Sequence, residues 1–482
     1  MPPDDRAAET FLDRTWRNLR SAWQEIAQSV RGGRTTPPAP DLPDTDAQLV
    51  RQQMEDCLAA RGGEVSARAR AAGLGRTYLS LNPTGRQRFL KLLASSFDVE
   101  RGKVEAAVQS YLRAENDAER READQALRQA LDAPRRRLLT QFNALPEGIK
   151  FLVDMRAELL ALSGDDDDLN GLEADLKSLL AAWFDVGFLE LRQITWGASA
   201  ALLERLIAYE AVHEIHGWAD LKDRLDSDRR CFAYFHPRMP DEPLIFVEVA
   251  LVAGLADNIQ SLLDLRAPVQ EASRADTAIF YSISNAQRGL AGISFGNFLI
   301  KRVVDRLRQE FPGLKTFATL SPIPGFRGWL RRQLAKDEPI LLPAERKALV
   351  QFEKSVEKAS DGALLARRLA HLLEREDWGR DDGLSDTVRP ALMRLCARYL
   401  LAEKAGKGRR ALDPVAHFHL TNGARVERLN WLGDRSRRGI EQSAGLMVNY
   451  LYKLDDINTN HEAYSGEGKI AASSAVRGLW KP

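Results

Sequence analysis

Apolar positions recur along this chain at two spacings, and the change of spacing divides it. From residue 46 to 208 the interval is helical. Val104, Ala107, Val108, Tyr111 and Leu112 form one stripe, and Leu172, Leu176, Leu179, Leu180 and Trp183 another. Pro146-Glu147-Gly148 and the acidic run Asp165–Asp168 interrupt the pattern and predict loops. The expectation for 46–208 is an antiparallel helical bundle with these stripes as its core. Ahead of it, residues 1–45 read as a flexible segment with one short amphipathic piece and the Pro-rich stretch Thr35–Asp46.

Near residue 230 the texture changes to β-branched and aromatic runs. Cys231–Phe235 and Leu244–Val252 predict strands, separated by a turn containing Pro237, Pro240 and Pro243. Thr277–Ile283 is continuously apolar, as in a strand buried on both faces. Gln287–Gly296 carries Gly289, Gly292 and Gly296 and opens a helix to Glu310, which Pro312-Gly313 closes before a strand at Thr316–Leu320. Residues 331–410 return to a charged helical pattern with the exit Lys404–Arg410, an insertion in this domain. Strand texture resumes at His417–Leu420 and Arg425–Leu432, and Gly439–Tyr452 adds a helix or strand. The predicted class is α+β: an N-terminal all-α bundle, then a mixed α/β domain at 209–482 with a helical insertion at 331–410. No internal repeat is visible.

Charge and cysteine usage narrow the function classes. The 482 residues carry 69 basic and 68 acidic side chains, a formal charge of +1. No global field recruits nucleic acid or an anionic membrane. No apolar run approaches the roughly 18–20 residues of a membrane span. The start, MPPDDRAAETF, has no signal-peptide core, and Cys57, Cys231 and Cys396 are too dispersed for a disulfide framework or metal cluster. A cytoplasmic protein is expected.

Candidate chemistry gathers at the strand–loop–helix–strand unit. In a parallel unit the two strand ends and the helix N-terminus share one edge, where glycines let backbone N–H groups approach a phosphate or pyrophosphate. Ser321 is expected on the last residue of the second strand, at that edge. Pro322 holds it in extended conformation. No Gly-x-Ser-x-Gly elbow surrounds it, which disfavours acyl transfer to serine. Among seven histidines, His419 in HFHLTNG is a candidate proton donor. His417 would lie on the same face of a strand, so spacing alone leaves both open. His213 and His216 flank Glu214 on a predicted helix at metal-like spacing, but without a third ligand. His236, His371 and His461 read as surface or loop residues.

The blocks FHPRMPDEPLIFVEVAL, TAIFYSIS, GISFGNFLIKRVV, LSPIPGF, HFHLTNGARVERLNWLGDRS, GLMVNY and NHEAY together resemble the malonyl-CoA decarboxylase family, in the family's order and across roughly residues 45–475. The resemblance implies a helical bundle before a catalytic domain like the GNAT acetyltransferase fold. It implies decarboxylation of malonyl-CoA to acetyl-CoA without metal or cofactor. The family's serine falls on Ser321, to engage the malonyl carboxylate or relay a proton, and its histidine on His419 rather than His417, to protonate the enolate. The CoA-binding loop falls on Ala291, Gly292, Ile293, Ser294, Phe295, Gly296 and Asn297. Some relatives have an acidic residue at the position of Ser294. Asn422 and Tyr452 are candidates to line the acyl pocket. A homo-oligomer, dimer or tetramer, built on the helical bundle is also implied, with no nucleic-acid or membrane partner. The rival readings are a CoA-dependent acetyltransferase and a non-catalytic acyl-CoA sensor.

Overall fold

The computed structural model describes residues 19–27, 37–59, 63–293, 299–336, 340–352, 362–375, 377–406 and 408–480. The chain forms two compact units, each assembled from separated stretches. One comprises residues up to Glu190 together with Phe235–Leu244 and Ala286–Phe295. The other comprises Leu191–Tyr234, Ile245–Asn285 and Gly296 onward.

The first unit is built from helices, among them Pro83–Ser96, Pro134–Asn143, Gly148–Leu162 and Asp167–Trp183. Their starts are written locally. Asn82 caps the helix that Pro83 opens, and Asp166 accepts from the amides of Asp168 and Leu169. Leu172, Leu176 and Leu180 are buried as their spacing predicts. Phe151 anchors the core, with Trp23, Tyr78 and Phe142 rings meeting it edge-on at 4.9, 5.6 and 5.2 Å between centroids. The other stripe departs from expectation. In helix Arg101–Arg113 only Ala107 is buried, whereas Val108, Tyr111 and Leu112 are exposed, Leu112 at 70%. The helical period there is right, but the face it marks is not core.

The second unit holds an eight-stranded sheet. Its strands are β1 (Glu190–Ile194), β2 (Arg229–His236), β3 (Met239–Val252), β4 (Thr277–Asn285), β5 (Thr316–Thr319), β6 (Ser321–Pro322), β7 (Arg425–Asn430) and β8 (Met447–Leu451). The order is β1-β2-β3-β4-β5-β8-β6, with β7 also pairing β8. β4 and β5 are parallel, Thr277 opposite Thr316, as the crossover through helix Leu299–Glu310 requires. β3 and β4 are antiparallel, with a register shift at Glu248/Val249. Ile279 and Tyr281, Ala318 and Leu320 alternate onto one apolar face with Ala250 and Met447.

Four details differ from the sequence reading. Pro240 and Pro243 lie inside β3, so the turn is confined to Pro237 and Arg238. Ser321 is not the end of β5: the chain breaks pairing at Leu320, and Ser321–Pro322 form a separate short strand opposite Val448 and Met447. Residues 417–420 are not a strand but lie in helix Pro414–Thr421, capped by Asp413 and opened by Pro414. His213 and His216 lie in an irregular stretch between helices Ala200–Tyr209 and Trp218–Arg224, not on a helix. Gly439–Tyr452 contains both a helix end and a strand. Between β6 and the helix Pro414–Thr421 the described residues hold four helices, Phe326–Leu334, Pro343–Phe352, Gly362–Leu372 and Asp382–Leu401.

Candidate active site

Side chains two apart on a strand face the same way, and this brings Thr319 and Ser321 together. Ser321 Oγ donates to Thr319 Oγ1 at 2.9 Å and lies 3.2 Å from His419 Nε2. Thr319 is itself fixed from β8: its Oγ1 accepts from the Tyr450 amide at 3.1 Å and its carbonyl from Asn449 Nδ2 at 2.7 Å. Tyr450 lies on β8, and Tyr452 follows two residues on, just past the strand's end at Leu451. The Tyr450 ring stacks on the His419 imidazole, 4.6 Å between centroids, and Tyr452 Oη is 2.7 Å from His419 Nδ1.

These contacts define a tautomer. Ser321 has one hydroxyl proton, and it is directed to Thr319. His419 then carries its proton on Nε2, toward Ser321 Oγ, and accepts from Tyr452 at Nδ1. Ser321, His419, Tyr450 and Tyr452 are all buried. Burial pushes the His419 pKa down to about 3, so the ring is neutral at pH 7, and holds both tyrosines well above their usual range.

The helix resolves the choice between the histidines. Two residues on a helix are about 200° apart around the axis. His417 therefore turns away and meets Tyr464 Oη at 2.8 Å, while His419 turns to Ser321. Sequence reading missed Thr319, and it missed Asp413. The buried Asp413 carboxylate accepts from the amides of Val415 and Ala416 at the start of the His419 helix. Its other oxygen accepts from Gly325 N and Tyr399 Oη, both at 3.2 Å. A Cβ on Gly325 would lie 2.1 Å from Tyr399 Oη, so only glycine permits this approach. Asn422 caps the end of the His419 helix. Its Nδ2 donates to Phe418 O at 2.8 Å, and its buried Oδ1 has no partner.

Of the expected CoA loop, Ala291, Gly292 and Ile293 are described, whereas Ser294, Phe295, Gly296 and Asn297 lie outside the described residues. The described part belongs to the first unit. Its approach is anchored there. Arg156 Nη1 donates to Gly289 O at 2.6 Å, and a Cβ on Gly289 would sit 1.7 Å from Val153 O. Gly292 takes a positive φ of 71°, and the Lys177 ammonium lies 3.3 Å from where its Cβ would be. This cation beside the loop comes from a helix in which the sequence showed only packing. The remaining histidines fall elsewhere. His236 is buried on β2 rather than at the surface, with Nε2 3.1 Å from Trp183 O, and burial pushes His213 down to about 4. Among the described residues no group of three or more His, Cys, Asp or Glu side chains is arranged to hold a metal ion.

Two family models match the chain: the malonyl-CoA decarboxylase C-terminal domain over residues 187–482 and the N-terminal domain over 97–184. The mitochondrial malonyl-CoA decarboxylase of Anser anser anser is 38% identical over 424 residues, covering 85% of this chain and 83% of that protein. That of Rattus norvegicus is 35% identical over 465 residues, covering 92% and 89%. Crystal structures of malonyl-CoA decarboxylase from Rhodopseudomonas palustris and Agrobacterium vitis superpose with TM-scores of 0.80 and 0.77, each at 42% identity. They cover 90% and 89% of this chain and 99% of each neighbour. With both domain models matched in order and relatives aligned over most of its length, the chain belongs to the malonyl-CoA decarboxylase family.

Proposed function

We propose that this chain converts malonyl-CoA to acetyl-CoA and CO2 through a thioester enolate, with Ser321 holding the carboxylate and His419 returning the proton. The observation that carries the reading is the buried, uncharged chain Ser321–His419–Tyr452. A carboxylate brought against neutral hydroxyl and imidazole groups loses water without gaining a counter-charge. Its charge is better accommodated once dispersed into the enolate, so the transition state gains relative to the ground state. A lysine or arginine in the place of Ser321 would stabilise the substrate instead.

As the C–C bond breaks, its electron pair becomes the enolate and CO2 departs. The His419 Nε2–H bond then breaks as a C–H bond forms at the substrate methylene carbon, and Tyr452 passes its proton to Nδ1. The resulting phenolate regains a proton from water. Because a thioester enolate is a far stronger base than a phenolate, each transfer runs downhill. The loop Ala291–Asn297 holds the CoA pyrophosphate on its backbone amides, aided by Lys177, and Asn422 borders the acyl group. The sheet domain is GNAT-like in this reading. The molecule works in the cytoplasm as a homo-oligomer, a reading supported by its unbridged buried cysteines and by the exposed apolar residues of helix Arg101–Arg113.

The test is acetyl-CoA formation from malonyl-CoA by purified, chelator-treated protein, with Ser321→Ala and His419→Ala alongside. Turnover in the parent, and a loss of about two to four decades in each variant, is expected. Binding of malonyl-CoA without turnover in the parent would overturn the reading in favour of a non-catalytic acyl-CoA protein.

A further inference from the structure

Three segments of the second unit converge on a cavity of about 690 Å3: helix Phe326–Leu334, residues 373–380 and residues 435–441. Six arginines line it, Arg327, Arg331, Arg375, Arg380, Arg435 and Arg437, and no lysine does. Among the described residues only three carboxylates share the lining, in a chain whose net charge is +1. Each carboxylate is already engaged. Glu374 Oε1 is shared by Arg327 and Arg331 at 3.2 and 3.1 Å, Asp377 meets Arg375 at 3.3 Å, and Glu441 meets Arg437 at 2.7 Å. The guanidinium groups of Arg380 and Arg435 have no ion pair among the described residues.

Arg327 adds a second observation. Its side chain is 5% exposed, and Nη2 donates to Leu373 O at 2.8 Å. Its Nη1 is buried with no hydrogen-bond partner. A buried charged donor left unpaired costs more than a neutral one, and the Arg327 side chain that carries it lines the cavity. The planar, forked guanidinium matches phosphate oxygens two at a time, whereas lysine offers a point charge. The cavity also falls in the size range of small-molecule sites.

We propose that this cavity is a binding site for a phosphate-bearing anion, with Arg327 as the inner donor and Arg380 and Arg435 as the outer clamps. The phosphate has two chemical sources: the phosphates of the acyl-CoA substrate, a case that rests on the decarboxylase reading, or a separate phosphorylated small molecule.

The probe is inorganic pyrophosphate, titrated calorimetrically into the full-length protein in phosphate-free buffer. The parent should bind it, and the double variant Arg380→Ala/Arg435→Ala should bind at least about tenfold more weakly. Thermal unfolding of the same samples checks the fold, and both substituted side chains are exposed. If the substrate supplies the phosphate, pyrophosphate competes with malonyl-CoA less strongly in the double variant than in the parent. The double variant then raises KM for malonyl-CoA but not for malonyl-pantetheine, which carries no phosphate. If a separate molecule supplies it, pyrophosphate competes equally in the double variant and the parent, and both KM values stay at the parent's level. A parent that binds no pyrophosphate, or a double variant that binds it as tightly as the parent, overturns the proposal. Turnover of malonyl-CoA by the parent tests the decarboxylase reading independently.

Discussion

In the proposed relay Tyr452, whose Oη lies 2.7 Å from His419 Nδ1, leaves Nε2 to face the substrate. Removing that hydroxyl by Tyr452→Phe frees the tautomer and removes the second proton of the relay. Turnover should fall about one to two decades with KM for malonyl-CoA nearly unchanged. A variant with the parent's kcat would break the relay. Neutrality of the histidine has a thermodynamic signature too. His419 and His213 are pushed down to about 3 and about 4, from an ordinary 6.5. Between those values and 6.5 the unfolded chain binds more protons than the folded one, so stability falls as pH falls. Each site contributes up to about 1.4 kcal/mol per pH unit there. Denaturant melts from about pH 6 to about pH 4 should show a slope that His419→Gln flattens by roughly that amount. An unchanged slope would mean that the ring is not buried neutral. The pair Ser321 and His419 was legible in the sequence through its blocks. Thr319 and Asp413 were not, because their roles depend on contacts with residues 131 and 88 positions away.

At the scale of elements, the helix Pro414–Thr421 shows how a pattern misleads. Alternating His417-Phe418-His419-Leu420 mimics a strand, and period two outweighed the local start signal Asp413-Pro414. The capping chemistry was present in the sequence but carried less visible weight than four residues of strand-like texture. β4 and β5 were legible because a strand buried on both faces has few competing readings. The separate pairing of Ser321–Pro322 was not, since its partner β8 lies more than a hundred residues away. Asp413 joins two of these elements, holding Gly325 after the Ser321 strand and the amides that begin the His419 helix. Asp413→Ala should cost about 0.5–2 kcal/mol as a lost cap. It should also lower kcat about tenfold or more, with KM changed less, as both groups lose their common anchor. Loss of stability alone, with kcat intact, would reduce Asp413 to a cap.

For the whole molecule, the helical stripe that fails to become core is the informative one. Val108, Tyr111 and Leu112 were read as interior because helical spacing reports a shared face, not what covers it. Large exposed apolar side chains on one face suit burial against a second copy. Light scattering should give a mass that is a multiple of 53.9 kDa, and Leu112→Glu should lower it. A monomeric parent would defeat the assembly proposal.

The interleaving of the two units has a consequence for how such a chain can change over evolutionary time. Residues 235–244 and 286–295 are built into the helical unit, although sheet sequence surrounds them on both sides. Gly289 fits only because Val153 leaves it no room for a side chain, and Arg156 holds its carbonyl. A single crossover that swapped in a foreign helical region would take Arg156 from the Gly289 carbonyl it holds, whereas the close oxygen of residue 153, being backbone, would stay. A chimaera that loses Arg156 should lose stability around Gly289 while the contact between Ser321 and His419 stays in place.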